Sequence, residues 1–144
     1  MLKAIKKKLK DQRGLTLVEL LAVIVILGII AAIAVPSIGN IIDKSKEDAI
    51  KADARMILNA AKLYKIENDI PDTGIGSTQL EPAYLDGLQT FSDSTADDGV
   101  VTPGYTVTVN SDGKLELDGK GTKDNISITF TGTTLEEIDG LSKD

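Results

Sequence analysis

The chain has 144 residues, 42% of them hydrophobic but only 3% aromatic, with no His, Cys or Trp and a formal net charge of −6. Without His and Cys it lacks the commonest general base, the commonest zinc ligands and any disulfide, so the fold must hold by packing alone, around an aliphatic core. The charge is split: residues 1–13 set six Lys and Arg against Asp11, about +5, while from Leu15 on ten Lys and Arg meet 21 Asp and Glu, about −11, a surface that repels nucleic-acid phosphates.

Residues 1–14 read as a basic leader and are set aside from the fold. Gly14-Leu15-Thr16-Leu17-Val18-Glu19 follows. From Leu20 to Ile42 roughly 23 residues carry no charge, enough for a helix that spans a bilayer. Glu19 is the anomaly at the entrance, since a carboxylate carried to the centre of such a helix costs about 2.5–3.5 kcal/mol. A plain anchor gains nothing from it. A segment that must later meet a positive partner in an apolar setting does. The basic cluster stays on the cytoplasmic side by the positive-inside rule, which places the acidic part outside. Ala31, Ala32 and Ala34 make one stretch slender and suited to close helix–helix approach. Pro36 lacks an N–H and crowds the carbonyl four residues back, so a bend or local melting is expected there, and Gly39 adds softness.

From Asp43 to about Asn68 the pattern becomes amphipathic. Ser45, Ala49, Ala52, Met56, Ala60 and Leu63 recur at spacings of three and four and mark the expected buried face. Lys44, Glu47, Asp48, Lys51 and Lys62 lie largely elsewhere, with Glu47 and Lys51 a favourable i, i+4 pair. A continuous helix over 15–68 would be roughly 80 Å long at 1.5 Å per residue. Asn68-Asp69-Ile70-Pro71-Asp72-Thr73-Gly74 stops it. A short helix is expected at about Gln79 to Asp86, opened by a capping box of Thr78 and Glu81. Phe91 to Pro103 reads as a polar loop.

The period then becomes two. Tyr105, Val107 and Val109, then Leu115 and Leu117, then Ile126, Ile128 and Phe130 alternate with polar residues. Asn110-Ser111-Asp112-Gly113 and Asp118-Gly119-Lys120-Gly121 supply the expected turns of a three-stranded antiparallel meander. Its apolar face needs the helical stripe as a cover. In the tail, Thr134 and Glu137 have capping-box spacing and predict one helical turn. The fold class is α+β: a long kinked N-terminal helix, apolar then amphipathic, on a small C-terminal antiparallel sheet. The expected divisions are a leader at 1–14, an apolar helix at 15–42 and a head at 43–144. Within the head they are a helix at 43–68, a loop at 69–103, a meander at 104–131 and a tail at 132–144.

A basic leader, Gly14, Leu15, Thr16, Leu17, any residue, Glu19, an apolar helix and Pro36 in register together resemble a type IV prepilin. The resemblance covers about residues 1–65. It implies cleavage by a prepilin peptidase between Gly14 and Leu15 and N-methylation of Leu15. It assigns assembly and register to Glu19 and Thr16, and the helix kink to Pro36 and Gly39. The usual first mature residue of the family is Phe, and here it is Leu15, also large and apolar. The missing cysteines look more like a Gram-positive pilin than the Gram-negative members that close a loop with a disulfide. Further partners implied are other copies in a helical filament, minor pilins, a membrane assembly platform and a cytoplasmic assembly ATPase.

Cleavage creates an α-amino group on Leu15 that is basic at neutral pH. In a bundle of such helices it can meet the Glu19 carboxylate of a neighbour, since both charges are expensive alone and tolerable together. The rival is a Glu19 that simply reaches water. Asp93, Asp97 and Asp98 form an acidic loop that invites calcium through carboxylates and carbonyls. No EF-hand spacing accompanies them, and an acidic surface loop is usually just solvated, so no cofactor is expected. Asn125-Ile126-Ser127 matches a glycosylation sequon inside an expected strand. No spacing resembles a nucleophile elbow or a phosphate loop, and no enzyme is expected. The reading is a structural subunit of a type IV pilus-like extracellular filament. The alternatives are a pseudopilin of a short secretion or DNA-uptake filament, and a monomeric membrane-anchored binding module. An ordinary secretory signal cut after Ala34 leaves the Gly14 to Glu19 register unexplained.

Overall fold

The computed structural model describes the backbone of residues 2–95, 101–102 and 104–144, and the side chains of residues 16–93 and 104–144. The chain divides into two units, Met1–Ile42 and Asp43–Asp144. Helix α1 runs over Leu2–Glu67 and contains Pro36. Residues 33–39 are all helical, so the melting expected at Pro36 is not seen. Proline costs a helix interior about 3 kcal/mol. Here uninterrupted turns on both sides offset that cost through helix cooperativity.

In the second unit, the last part of α1 lies on an antiparallel sheet of β3 (Tyr105–Val109), β4 (Leu115–Lys123) and β5 (Ile126–Thr133), with β4 central. This is the expected α+β arrangement. A four-residue helix α2 (Ser77–Leu80) precedes it, and β1 (Ser94–Thr95) pairs with β2 (Val101–Thr102). That small ribbon lies in the segment expected to be only loop. A 3₁₀ turn at Ile138–Gly140 follows the sheet, close to the helical turn expected in the tail.

The face of α1 that enters the core is not the expected one. Ile50, Ala54, Ile57, Leu58 and Ala61 are buried, whereas Ser45, Ala52, Met56 and Leu63 are exposed. Of the expected stripe only Ala60 is buried and Ala49 half-buried. The true stripe is rotated by about one residue, 100° on a helix. Apolar residues occupy several faces here, and the bulk of Ile50, Ile57 and Leu58 decides, because larger apolar area is worth more when buried. Lys51 is drawn in beside them, 8% exposed, and pairs with Glu47 at 3.0 Å.

The second expected turn is also replaced. Asp118-Gly119-Lys120-Gly121 lies within β4, and the turn falls at Asp124 and Asn125, where Asp124 adopts φ 52°. The glycines serve close approach. A Cβ on Gly121 would lie 2.4 Å from Cγ2 of Ile50 and 3.1 Å from the Phe91 ring. The strand therefore touches the helix where only a hydrogen fits. Into the same region Phe91 packs at 5.5 Å from Phe130 and 6.0 Å from Tyr105, so the core is aliphatic with an aromatic centre rather than wholly aliphatic. The first turn stands as expected: Asn110 Oδ1 accepts from the N–H groups of Asp112 and Lys114.

Helix α2 starts earlier and ends sooner than expected. Its N-cap is Gly76, whose N–H donates to Gln79 Oε1, and it stops at Glu81, whose extended backbone is the conformation proline imposes on the residue before it. Thr78 and Glu81 form no capping box; the Thr78 hydroxyl donates to Gln79. Both sheet edges are covered in part. Ile75 exchanges two backbone hydrogen bonds with Val107 on β3, and the Asp144 N–H donates to Ser127 on β5.

Candidate functional site

Among the described residues, the N-terminal unit presents an apolar surface interrupted by one charge, Glu19. From Leu17 to Ile42 its large aliphatic side chains are 49–71% exposed on every side of α1. Among the described residues, α1 from Thr16 is the one helix long and apolar enough to cross a membrane. Glu19 is the sole ionisable side chain between Thr16 and Ile42, and it is exposed. In α1 it stands one turn beyond Leu15 and three residues beyond Thr16, so a new amino terminus at Leu15 would lie about 6 Å along the axis from it. A cut after Gly14 would thus place a cation and an anion on one helix edge. Gly28 and Gly39 leave open space where a Cβ would stand, so their backbone is free to meet another helix.

Of the acidic loop residues weighed as a calcium site, Asp93 is engaged within the head. Asp93 Oδ2 accepts from the Ser77 hydroxyl at 2.5 Å and Oδ1 from the Gly104 N–H at 2.8 Å, which closes the base of the β1–β2 ribbon. Asp97 and Asp98 lie outside the described residues. Asn125 of the sequon stands in the exposed β4–β5 turn rather than in a strand, and its side-chain oxygen accepts from Lys46.

Periodicity gave no hint of Asp53. Its Oδ2 accepts from the N–H groups of Gln89 and Thr90 and from the Thr90 hydroxyl, at 3.0, 2.9 and 2.8 Å. Thr90 is buried, and its carbonyl accepts from the Thr122 N–H on β4. One carboxylate thus ties α1 to the sheet through a single loop. The available signal was a carboxylate between Ile50 and Ala54 on the buried side of the helix. In the tail, the Thr134 N–H and hydroxyl both donate to Glu137, which holds that carboxyl below the ordinary range. The Thr129 hydroxyl does the same for Asp144.

The Prokaryotic N-terminal methylation motif matches residues 9–35, the segment holding Gly14, Leu15 and Glu19. Fimbrial protein of Pseudomonas aeruginosa is 31% identical over 109 residues, covering 76% of this chain and 68% of that one. The chain belongs to the type IV pilin superfamily. Type II secretion system core protein G is also similar to this chain. The protein from Vibrio cholerae is 42% identical over 78 residues, 51% of each chain, and that from Pseudomonas aeruginosa 41% over 59 residues, 41% of this chain and 42% of that one. The chain thus spans about half or less of the length of the secretion-system relatives it matches. No solved structure matches it. The family resemblance read from the sequence therefore stands.

Proposed function

We propose that the chain is a non-catalytic structural subunit of a type IV pilus-like extracellular filament. Before assembly it sits in the membrane as a single pass with its N-terminus in the cytoplasm. The observation that carries this reading is the exposed aliphatic surface from Leu17 to Ile42, together with a head whose core begins at Ile50. Such a surface is stable in lipid or against other copies of itself, and not in water. Prepilin peptidase cuts after Gly14, Leu15 is methylated, and the new amine pairs with Glu19 of a neighbour inside the bundle. Apolar contact supplies attraction and the ion pair supplies register, since either charge left alone there is costly. Thr16 shares that register site, and Pro36 with Gly39 gives the helix its flexible point. A membrane platform and a cytoplasmic ATPase drive assembly, and minor pilins join the filament.

The test is the N-terminal sequence and mass of the chain recovered from sheared filaments, with two variants. Gly14→Val is expected to leave full-length precursor in the membrane and no filaments. Glu19→Gln is expected to be cleaved and inserted normally but to assemble poorly. Recovery of normal filaments from both variants would refute the scheme. The similarity to type II secretion system core protein G favours a second reading, a subunit of a short secretion filament. Filaments confined to the cell envelope would decide for it, and long surface filaments for the first.

A further inference from the structure

A groove of about 280 Å³ lies between α1, the β3–β4 turn and the segment after β5. Leu58, Leu115 and Leu135 line it with apolar surface, and Lys62, Lys65 and Lys114 supply cations. Elsewhere in the head, Lys46, Lys51, Arg55 and Lys143 each meet a carboxylate, while Lys44, Lys120 and Lys123 form no ion pair among the described residues. In the groove only Lys114 does, 3.2 Å from Glu136. Lys65 donates instead to the Gly113 carbonyl, and Lys62 is exposed with no carboxylate partner among the described residues. Three lysines against one glutamate make a basic, greasy slot on a chain that carries about −11 from Leu15 on.

The complement stands on the same subunit, on another side of α1. Tyr64, next in sequence to Lys65 and so about 100° round the helix, packs edge-on against Tyr84 at 5.4 Å. Asn68 donates to the Tyr84 hydroxyl, and Ile75 is bonded to Val107, so the loop between them is pinned at both ends. Within it Asp69, Pro71 and Asp72 are exposed, and neither carboxylate has a side-chain partner among the described residues. We propose that the groove of Lys62, Lys65 and Lys114 receives the loop Asn68–Thr73 of a second copy. This rests on the filament reading. Two different patches of opposite sign give a head-to-tail contact, which propagates as a helix where it does not close. It also sets attraction where copies of the same net charge otherwise repel.

The test uses the full chain in filament-forming cells. Lys62→Glu and Asp72→Lys are each expected to lower sheared filament about tenfold, because like charges then face each other. Cleavage and the amount of subunit in the membrane should not change. Both changes in one chain are expected to restore filaments to within about threefold of the parent. The absence of native Cys allows a direct readout. A chain carrying Lys62→Cys and Asp72→Cys is expected to give a ladder of disulfide-linked dimers, trimers and higher species in filaments, and neither single variant should. Filaments that form without this ladder, or a charge swap no better than its singles, overturn the contact and leave the filament reading standing. No filaments from the parent chain overturns both.

Discussion

Gly121→Ala tests whether helix and sheet touch as closely as described. The added Cβ would lie 2.4 Å from Ile50 Cγ2 and 3.1 Å from Cε2 and Cζ of Phe91. Carbon atoms pack at about 3.5–4.0 Å, so the first contact is short by about 1 Å. Neither neighbour has room to yield, since Ile50 is 0% and Phe91 6% exposed. Against this, Gly→Ala restricts the unfolded chain and stabilises by about 0.4–1 kcal/mol. Overpacking a core costs about 1–3 kcal/mol, so the clash wins and the net loss is about 1–2 kcal/mol. With a urea slope of about 1–3 kcal/mol/M for a small domain, the unfolding midpoint of the head, Asp43–Asp144, should fall by roughly 1 M. Ile50→Ala removes the clashing methyl at its own cost of about 2–5 kcal/mol. In that background Gly121→Ala should cost nothing or stabilise, a coupling of about 1 kcal/mol or more. An equal cost in both backgrounds, or a higher midpoint for Gly121→Ala alone, refutes the close approach.

The head from Asp43 should be a soluble monomer that unfolds cooperatively and ignores reductant, whereas a chain from Asn68 loses Ile50, Ala54, Ile57, Leu58 and Ala61 and should aggregate; sizing and circular dichroism distinguish them. Asp53→Ala strips three donors of their acceptor, including the N–H of buried Thr90, and should lower head stability by about 2–3 kcal/mol, read from the urea midpoint. Glu137 and Asp144 titrate below their ordinary values in the fold, so the stability they add is complete above about pH 4.5 and is lost as pH falls through their folded values. Glu137→Gln should flatten the fall of Tm on acidification, and an unchanged slope would rule that carboxyl out. Burial and the facing Glu81 push Tyr105 up, so its contribution holds below about pH 10 and declines above it. Tyr105→Phe should remove that alkaline decline.

The N-terminal third was the most legible part, because its signals are local: a charge boundary, a fixed register from Gly14 to Glu19, and a run long enough for a bilayer. The strands were legible where alternation and turn chemistry agree, as at Tyr105–Val109 and Asn110–Gly113. Where one residue type serves two purposes, local reading fails. Gly119 and Gly121 look like turn residues, yet Gly121 exists to let Ile50 and Phe91 in, a demand set by residues 30 and 71 positions away. The helical stripe was misread for a related reason: from Ala49 to Ile66 apolar residues lie on most faces, and only the sheet decides which of them it takes. Asp53 carries no motif at all, and its role depends on the path of a loop.

Among the described residues, every one in the buried hydrophobic core lies at or beyond Ile50. The fold of the head therefore draws nothing from the burial of residues 17–42, and removing that segment from one apolar medium and placing it in another leaves the head intact. Folding and polymerisation become separate equilibria. On the proposed filament reading, a finished subunit would pass from the bilayer into the polymer without refolding its head.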